Sequence, residues 1–213
     1  MRLEEKLHAY DELILLMAER VRQMFTLSRE ALNTSDKEKA LVIVEMDDYV
    51  NHFDEDINLR ATEMLSLFQP VAKDLRAIIA GIKIATDLER IGDYAKSIAR
   101  FIVRNDKLDE STLKSCNELF EIAITQYDLM LQALRTNDLK LAFQVPEEDE
   151  KLDAGFIRIV MEIEESIQTR ELEWKIPLKI ASLLRNLERS GDHTKNICES
   201  IIYKVKGQHI DFG

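Results

Sequence analysis

Apolar residues recur at three- and four-residue spacing along nearly the whole chain, the period of helices that bury one face. The first such run extends from Leu3 to about Leu32 and puts Leu7, Leu13, Ile14, Met17, Val21, Met24 and Phe25 on one side. It stops at Asn33-Thr34-Ser35. Ser35 and Glu38 have the S-x-x-E spacing of a capping box, which predicts a second helix from Asp36 to about Leu67. Gln69-Pro70 marks the next break. Proline is tolerated in a first helical turn, so a third helix is expected to begin there and to run past Ile102 to near Asn105.

The pattern then repeats. A fourth helix is expected from about Glu110 to Arg135, and Thr136-Asn137-Asp138 stands where Thr34-Ser35-Asp36 stood. A fifth runs to about Leu172. Trp174-Lys175-Ile176-Pro177 is the counterpart of the Gln69-Pro70 break, and a sixth helix continues to Lys206, with Gly207 placed as its C-terminal cap. The closing HIDFG is expected to fray or to dock loosely. Pro146, at the position of Val44 in the first half, would remove a backbone hydrogen bond inside the fifth helix and predicts a kink or a late start. No segment alternates with strand period and no low-complexity linker interrupts the chain. The expected fold is all-α: two tandem three-helix bundles, six helices with pseudo-two-fold repetition, over residues 1–106 and 107–213.

Composition sharpens this picture in three ways. Only 6 Gly and 3 Pro occur in 213 residues, which leaves few turns and long helices. The net charge of −11 disfavours a nucleic-acid partner, whose backbone needs clustered Lys and Arg, and favours cations or basic protein surfaces. The two cysteines, Cys116 and Cys198, lie far apart without a zinc-type spacing, so both are expected as free buried thiols in a reducing compartment. The acid-rich first twenty residues do not read as a signal peptide, and no apolar run approaches a membrane span of about 20 residues. A cytoplasmic location is the expectation.

The repeat also carries a motif. DLERIGDYAKSIAR begins at Asp87 and NLERSGDHTKNICE at Asn186, ninety-nine residues later. Leu88, Ile91, Ala95, Ile98 and Ile102 share an apolar face, while Glu89 and Asp93 lie one turn apart on another, as do Glu188 and Asp192. Like charges at i, i+4 cost an isolated helix about 0.2–0.5 kcal/mol, so a repeated acid pair calls for something that offsets it. The preceding helix of each half adds Asp47 with Asn51 and Asp149 with Asp153, in matching registers fixed by Val50 and Leu152. Carboxylates without His or Cys beside them suit hard cations such as magnesium, calcium, manganese or ferric iron. They equally suit a solvated face neutralised by Arg90 and Arg189. Gly92 and Gly191, each costing about 1 kcal/mol inside a helix, predict close approach of a helix, loop or ligand beside the acids.

QPVAKDLRAIIAGIKIATDLERIGDYAKSIA and LLRNLERSGDHTKNICESIIYKVKG resemble the PhoU family of phosphate-signalling regulators, and the resemblance covers essentially the whole chain. It implies paired three-helix bundles of PhoU-like, spectrin-like form. It also implies E(D)xxxD motifs able to hold metal ions, including iron or zinc clusters, at Asp47/Asn51, Glu89/Asp93, Asp149/Asp153 and Glu188/Asp192. Asn51 in place of a carboxylate and Ser190 in place of Ile weight that expectation toward the second half.

Further implied are negative regulation of phosphate uptake and of the starvation response, through coupling of the phosphate ABC transporter, at its ATPase subunit, to a sensor histidine kinase. A homodimer, bound to the membrane only through partners, belongs to the same expectation. Asp74, Arg76, Arg90 and Arg189 are the residues expected to serve partner surfaces. An alternative is a carboxylate di-metal bundle for iron oxidation or storage, but the repeated spacing here is E-x-x-x-D rather than the Glu-x-x-His of such sites. His193, about 100° around the helix from Asp192, is expected at the surface or in a cap. His52 lacks the setting of a phosphoacceptor, and Met17, Met24, Met64, Met130 and Met161 read as core fillers. No nucleophile–base pair or phosphate loop argues for catalysis.

Overall fold

A computed structural model describes residues 2–170 and 175–213, with side chains except those of residues 166–170, 175 and 176. Among the described residues seven helices follow one another: α1 (Leu3–Thr34), α2 (Lys37–Phe68), α3 (Ala72–Arg104), α4 (Glu110–Thr136), α5 (Leu139–Ala142), α6 (Val145–Arg170) and α7 (Lys175–Lys206). No strand occurs among the described residues. Six helices are long and α5 is a single turn. Helices α1, α2 and α3 pack as one bundle, and α4, α6 and α7 as another. The predicted positions of Leu172 and Trp174 lie outside the described residues.

Helix boundaries follow local chemistry, with two corrections. The cap of α2 is Asp36, whose carboxylate accepts from Lys39 N at 2.9 Å, and Ser35 instead ends α1 in the left-handed region at φ 54°. One residue cannot hold that conformation and also serve as an extended N-cap. Pro70 lies outside α3, which starts at Ala72; Gln69 ends α2 at φ 48° and the chain needs two more residues to turn. Pro146 produces the late start: α5 stops at Ala142, and α6 begins at Val145, so the ring occupies the first turn, where no donor is required. Asp138 and Asp109 cap α5 and α4 through their carboxylates. Gly207, at φ 71°, caps α7 by donating its N–H to Tyr203 O at 2.8 Å.

The two bundles join along two antiparallel seams. Arg76 lies against Gly207, Lys83 over the Tyr203 ring, Tyr94 against His193, and Lys179 Nζ donates to Asn105 Oδ1, so α3 and α7 run opposite ways along their full lengths. Helices α1 and α4 do the same through Arg22–Asp128, Arg29–Glu121 and the buried bond from Tyr127 Oη to Ala18 O at 2.8 Å. Two seams of this sense place the halves about a pseudo-two-fold axis, as the repeated sequence requires. Leu88, Ile91, Ala95, Ile98 and Ile102 are all buried, and so are both thiols, free and shielded from solvent. Burial pushes Cys116 up to about 12, well away from a reactive thiolate. Four of the five methionines named above fill the core; Met161 is exposed.

Candidate functional site: two acidic clusters

Each half builds its cluster where the glycine of the repeated motif removes a side chain from the α3 or α7 surface. A Cβ on Gly92 would lie 3.2 Å from Val50 Cγ1 and 3.8 Å from Asp47 Oδ1. On Gly191 it would lie 2.6 Å from Leu152 Cδ2, 2.7 Å from Asp149 Oδ1 and 2.9 Å from Gln126 Oε1. The close approach foreseen beside Asp93 and Asp192 is therefore that of the neighbouring helix, and it lets one aspartate per bundle sink into the interior. Asp47 and Asp149 are both buried.

These inner aspartates are neutralised by a residue that repeats with the motif. Lys96 Nζ donates to Asp47 Oδ2, and Lys195 Nζ reaches Asp149 Oδ2 at 2.6 Å and Asp192 Oδ1 at 3.5 Å. Burial works against the Lys195 charge, but the hydrogen bond and charge of Asp149, joined by Asp192, outweigh it and raise the ammonium above its ordinary value. Carboxylates in sequence repeats thus came with their own cations, and L-E-R-x-G-D-x-x-K is the fuller motif. Its lysine was legible in the sequence, since Lys96 and Lys195 are also ninety-nine residues apart.

The second polar partner differs between halves. Asn51 Nδ2 donates to Asp47 Oδ2 at 3.2 Å, so this residue serves as a donor to its own helix, where a second carboxylate would repel. In the other half Asp153 occupies that place, and the amide comes from α4: Gln126 Nε2 donates to Asp149 Oδ1 at 2.9 Å and to Gly191 O at 3.2 Å. Met24 stands at the equivalent place on α1, and Asp47 Oδ1 has no hydrogen-bond partner. Ser190, the departure from Ile91, is buried but satisfied by donating to Leu187 O.

The outer carboxylates stay nearer solvent and carry unrelieved strain. Glu188 is raised above the usual carboxylate range by desolvation first, then by Asp192 and Asp153, against Arg185 and Arg189. Asp153 is raised by desolvation, then Asp149 and Asp192. In the first half desolvation and Asp93 raise Glu89, opposed by Arg90, with smaller contributions from Asp54 and Asp47. Desolvation also raises Asp54, which sequence reasoning missed because Phe156 stands in its place in the second half. Glu188 Oε2 and Asp54 Oδ1 are buried without hydrogen-bond partners. Oxygen-only donors with orphaned atoms suit a hard cation. Yet among the described residues no three His, Cys, Asp or Glu groups converge as a ligand set, and the inner aspartates are held by lysine. Only the outer groups fit a cation, and they would have to turn toward it.

The remaining expected residues separate. Arg90 lies 3.5 Å from Glu89 and 3.7 Å from Asp93, an exposed local counterion. Arg189 reaches across the seam to the Tyr94 ring at 5.7 Å. Asp74 is a first-turn acid of α3, and Arg76 is half-buried beside Gly207, its Nε buried without a hydrogen-bond partner. His193 is not a surface or capping group: its Nδ1 lies 2.8 Å from Asp87 Oδ1 and its ring against Tyr94, in the α3–α7 seam. His52 is exposed, its Nδ1 against Asp48 O. Glu5-Lys6-Leu7-His8 does have the Glu-x-x-His spacing, but His8 is an exposed partner of Glu12 at the start of α1, remote from both clusters.

Comparison with known proteins agrees with this geometry. The PhoU domain family matches residues 14–102 and 116–201, once on each bundle. The phosphate-specific transport system accessory protein PhoU of Serratia marcescens is 32% identical over 92% of the chain and 82% of that protein, and the PhoU homolog 1 of Thermotoga maritima 28% identical over 97% and 92%. The crystal structure of PhoU from Pseudomonas aeruginosa superposes with a TM-score of 0.92 at 28% identity, covering 97% of this chain and all of that one. No helix among the described residues is long and apolar enough to cross a membrane.

Proposed function

The chain belongs to the PhoU family, and on that premise we propose that it is an accessory, regulatory protein of phosphate-specific transport that represses uptake and the starvation response. It does so by contacting the ATPase subunit of the phosphate ABC transporter and a sensor histidine kinase. The observation that carries this reading is the pair of outer acidic rims, Glu89/Asp93 and Glu188/Asp192, left half-exposed while lysine secures the inner aspartates. Such rims suit basic partner surfaces, and regulation follows if one conformation of each partner is bound more tightly than the other. The exposed Tyr49, Leu59 and Leu67 along α2 are apolar surface available for a homodimer. A pull-down with both partners in high and low phosphate is expected to retain each in at least one condition. Retention of neither in any condition discards the proposal.

The proposal extends to a metal cation, magnesium, calcium, manganese, zinc or iron, held by Glu188, Asp192 and Asp153, or by Glu89, Asp93 and Asp54 in the first half. The ion would supply the positive charge that these desolvated groups lack. Metal-free Glu188→Gln is expected to melt about 1–3 °C above the wild type at pH 7, the scale of a small surface term on a chain this size. Because the folded Glu188 is raised, its penalty exists above that folded value and fades as pH falls through it, so the advantage of the variant shrinks in acid. Added cation should raise the wild-type melting temperature more than that of Glu188→Gln. Equal or absent shifts with every metal remove the ion from the proposal.

A further inference from the structure

The pseudo-two-fold axis gives the α3–α7 seam two equivalent ends, and the described residues differ between them. At the end near Gly207 the chain folds back on itself. His209 stacks on the Tyr203 ring at 4.3 Å, Phe212 N donates to Glu199 Oε1 at 2.8 Å, Lys195 Nζ donates to Gly213 O at 2.9 Å, and Phe212 meets Phe143 edge-on. Of the two expected outcomes, fraying or docking, the closing residues show docking. At the other end the chain leaves α3 at Arg104 and enters α4 at Glu110, and no counterpart of the tail occurs among the described residues.

The chemistry at that second end is inverted. Arg100 stands at the repeat position of Glu199, Arg104 at that of Tyr203, and Ser97 at that of Asn196. With Lys179 and Ser182 from α7 they line an open cavity of about 360 Å³ with no acid among the described residues of its wall. A second cavity of about 400 Å³ adjoins it through Arg104, Asn105 and Lys179. Of its two acids, Asp109 accepts from Ser111 and Thr112 at the start of α4, and Asp106 is fully exposed to solvent, 4.0 Å from Lys37. Arg100 and Arg104 make no hydrogen bond or ion pair with any described residue. On a chain of net charge −11, two uncommitted guanidinia and an ammonium gathered in one hollow are a feature in need of a ligand.

We propose that the groove between the end of α3 and the start of α7 binds a small phosphorylated anion through Arg100, Arg104 and Lys179. Guanidinium forks match phosphate oxygens in pairs, and the hydroxyls of Ser97 and Ser182 supply further donors. The cavity has the size of a small-molecule site. Binding bridges α3 and α7, and with them the two bundles, at the end opposite the docked tail. The inference concerns a different face from the acidic rims and does not depend on any protein partner.

Calorimetric titration of the full chain with inorganic phosphate, pyrophosphate and ATP, each at about 0.15 M salt to screen weak surface contacts, tests it. Saturable binding of at least one is expected, and the order among the three tells a free phosphate from a pyrophosphate-bearing ligand. Arg100→Ala/Arg104→Ala should weaken it by about tenfold or more, since charged hydrogen bonds are lost, while Lys140→Ala, exposed on α5 at the tail end, leaves it unchanged. Both arginines are exposed, so an unchanged melting temperature certifies the variant. Binding of none of the three, or equal weakening by Lys140→Ala, overturns the proposal.

Discussion

Replacing Lys195 by Met is expected to destabilise the protein by about 2–4 kcal/mol, because it leaves the Asp149 carboxylate buried without its cation. The Asp149 side chain is 3% exposed and that of Lys195 12%, so little water can take over when the ammonium is removed. Gln126 would still donate to Oδ1, but one neutral hydrogen bond does not compensate a desolvated charge. Met keeps the length of the aliphatic stem, which confines the change to the charge. The decisive comparison is the double variant Asp149→Leu/Lys195→Met. With both charges gone it should recover much of the loss, as measured by the urea midpoint at unchanged slope. A double variant less stable than Lys195→Met would show that the pair is not what holds this site. The sign with pH is also fixed. Since the folded Lys195 is raised, its contribution is complete below the ordinary lysine value and disappears only as pH rises through the folded one.

Gly191→Ala is expected to cost about 1–3 kcal/mol, the range of an overpacked core. A methyl there would meet three side chains inside 3.0 Å, and none can yield freely: Leu152 is buried, Asp149 is held by Lys195, and Gln126 is bonded to both Asp149 and Gly191. The repeat supplies an internal control. Gly92→Ala meets only Val50 Cγ1 at 3.2 Å, which needs a shift of a few tenths of an ångström, and part of that strain is offset by the better helix propensity of Ala. Thermal melts should rank Gly191→Ala well below Gly92→Ala. The reverse order would contradict the packing described here.

The difference between those two glycines shows where a linear reading reaches its limit. Both lie in the same hexapeptide pattern, and the pattern correctly signals that something approaches closely. What approaches is set by α2 or α6, and how tightly is set by Gln126, which comes from a helix that carries no part of the motif. Lys96 and Lys195 could have been found from the repeat alone. Their role could not, because a lysine one turn beyond an aspartate reads as an exposed partner on its own helix, whereas here it reaches the next one. Asp54 and Gln126 are absent from the counterpart half, so repetition gave no signal for them. His193 was misplaced for a related reason: its angle around α7 showed that it avoids Asp192, not that another whole bundle lies on that side.

The order of amino acids by itself determined the helices, their ends to within a few residues, the doubled plan and the acid rows, since these follow from 3.6-residue periodicity, backbone capping and the scarcity of Gly and Pro. Only the tertiary structure decided which acids are buried with lysine, which stay open toward solvent, and that the tail folds back along α7 at one end while Arg100 and Arg104 at the other have no partner among the described residues. Charges interact according to distance and burial, and both are properties of how helices meet rather than of any helix alone.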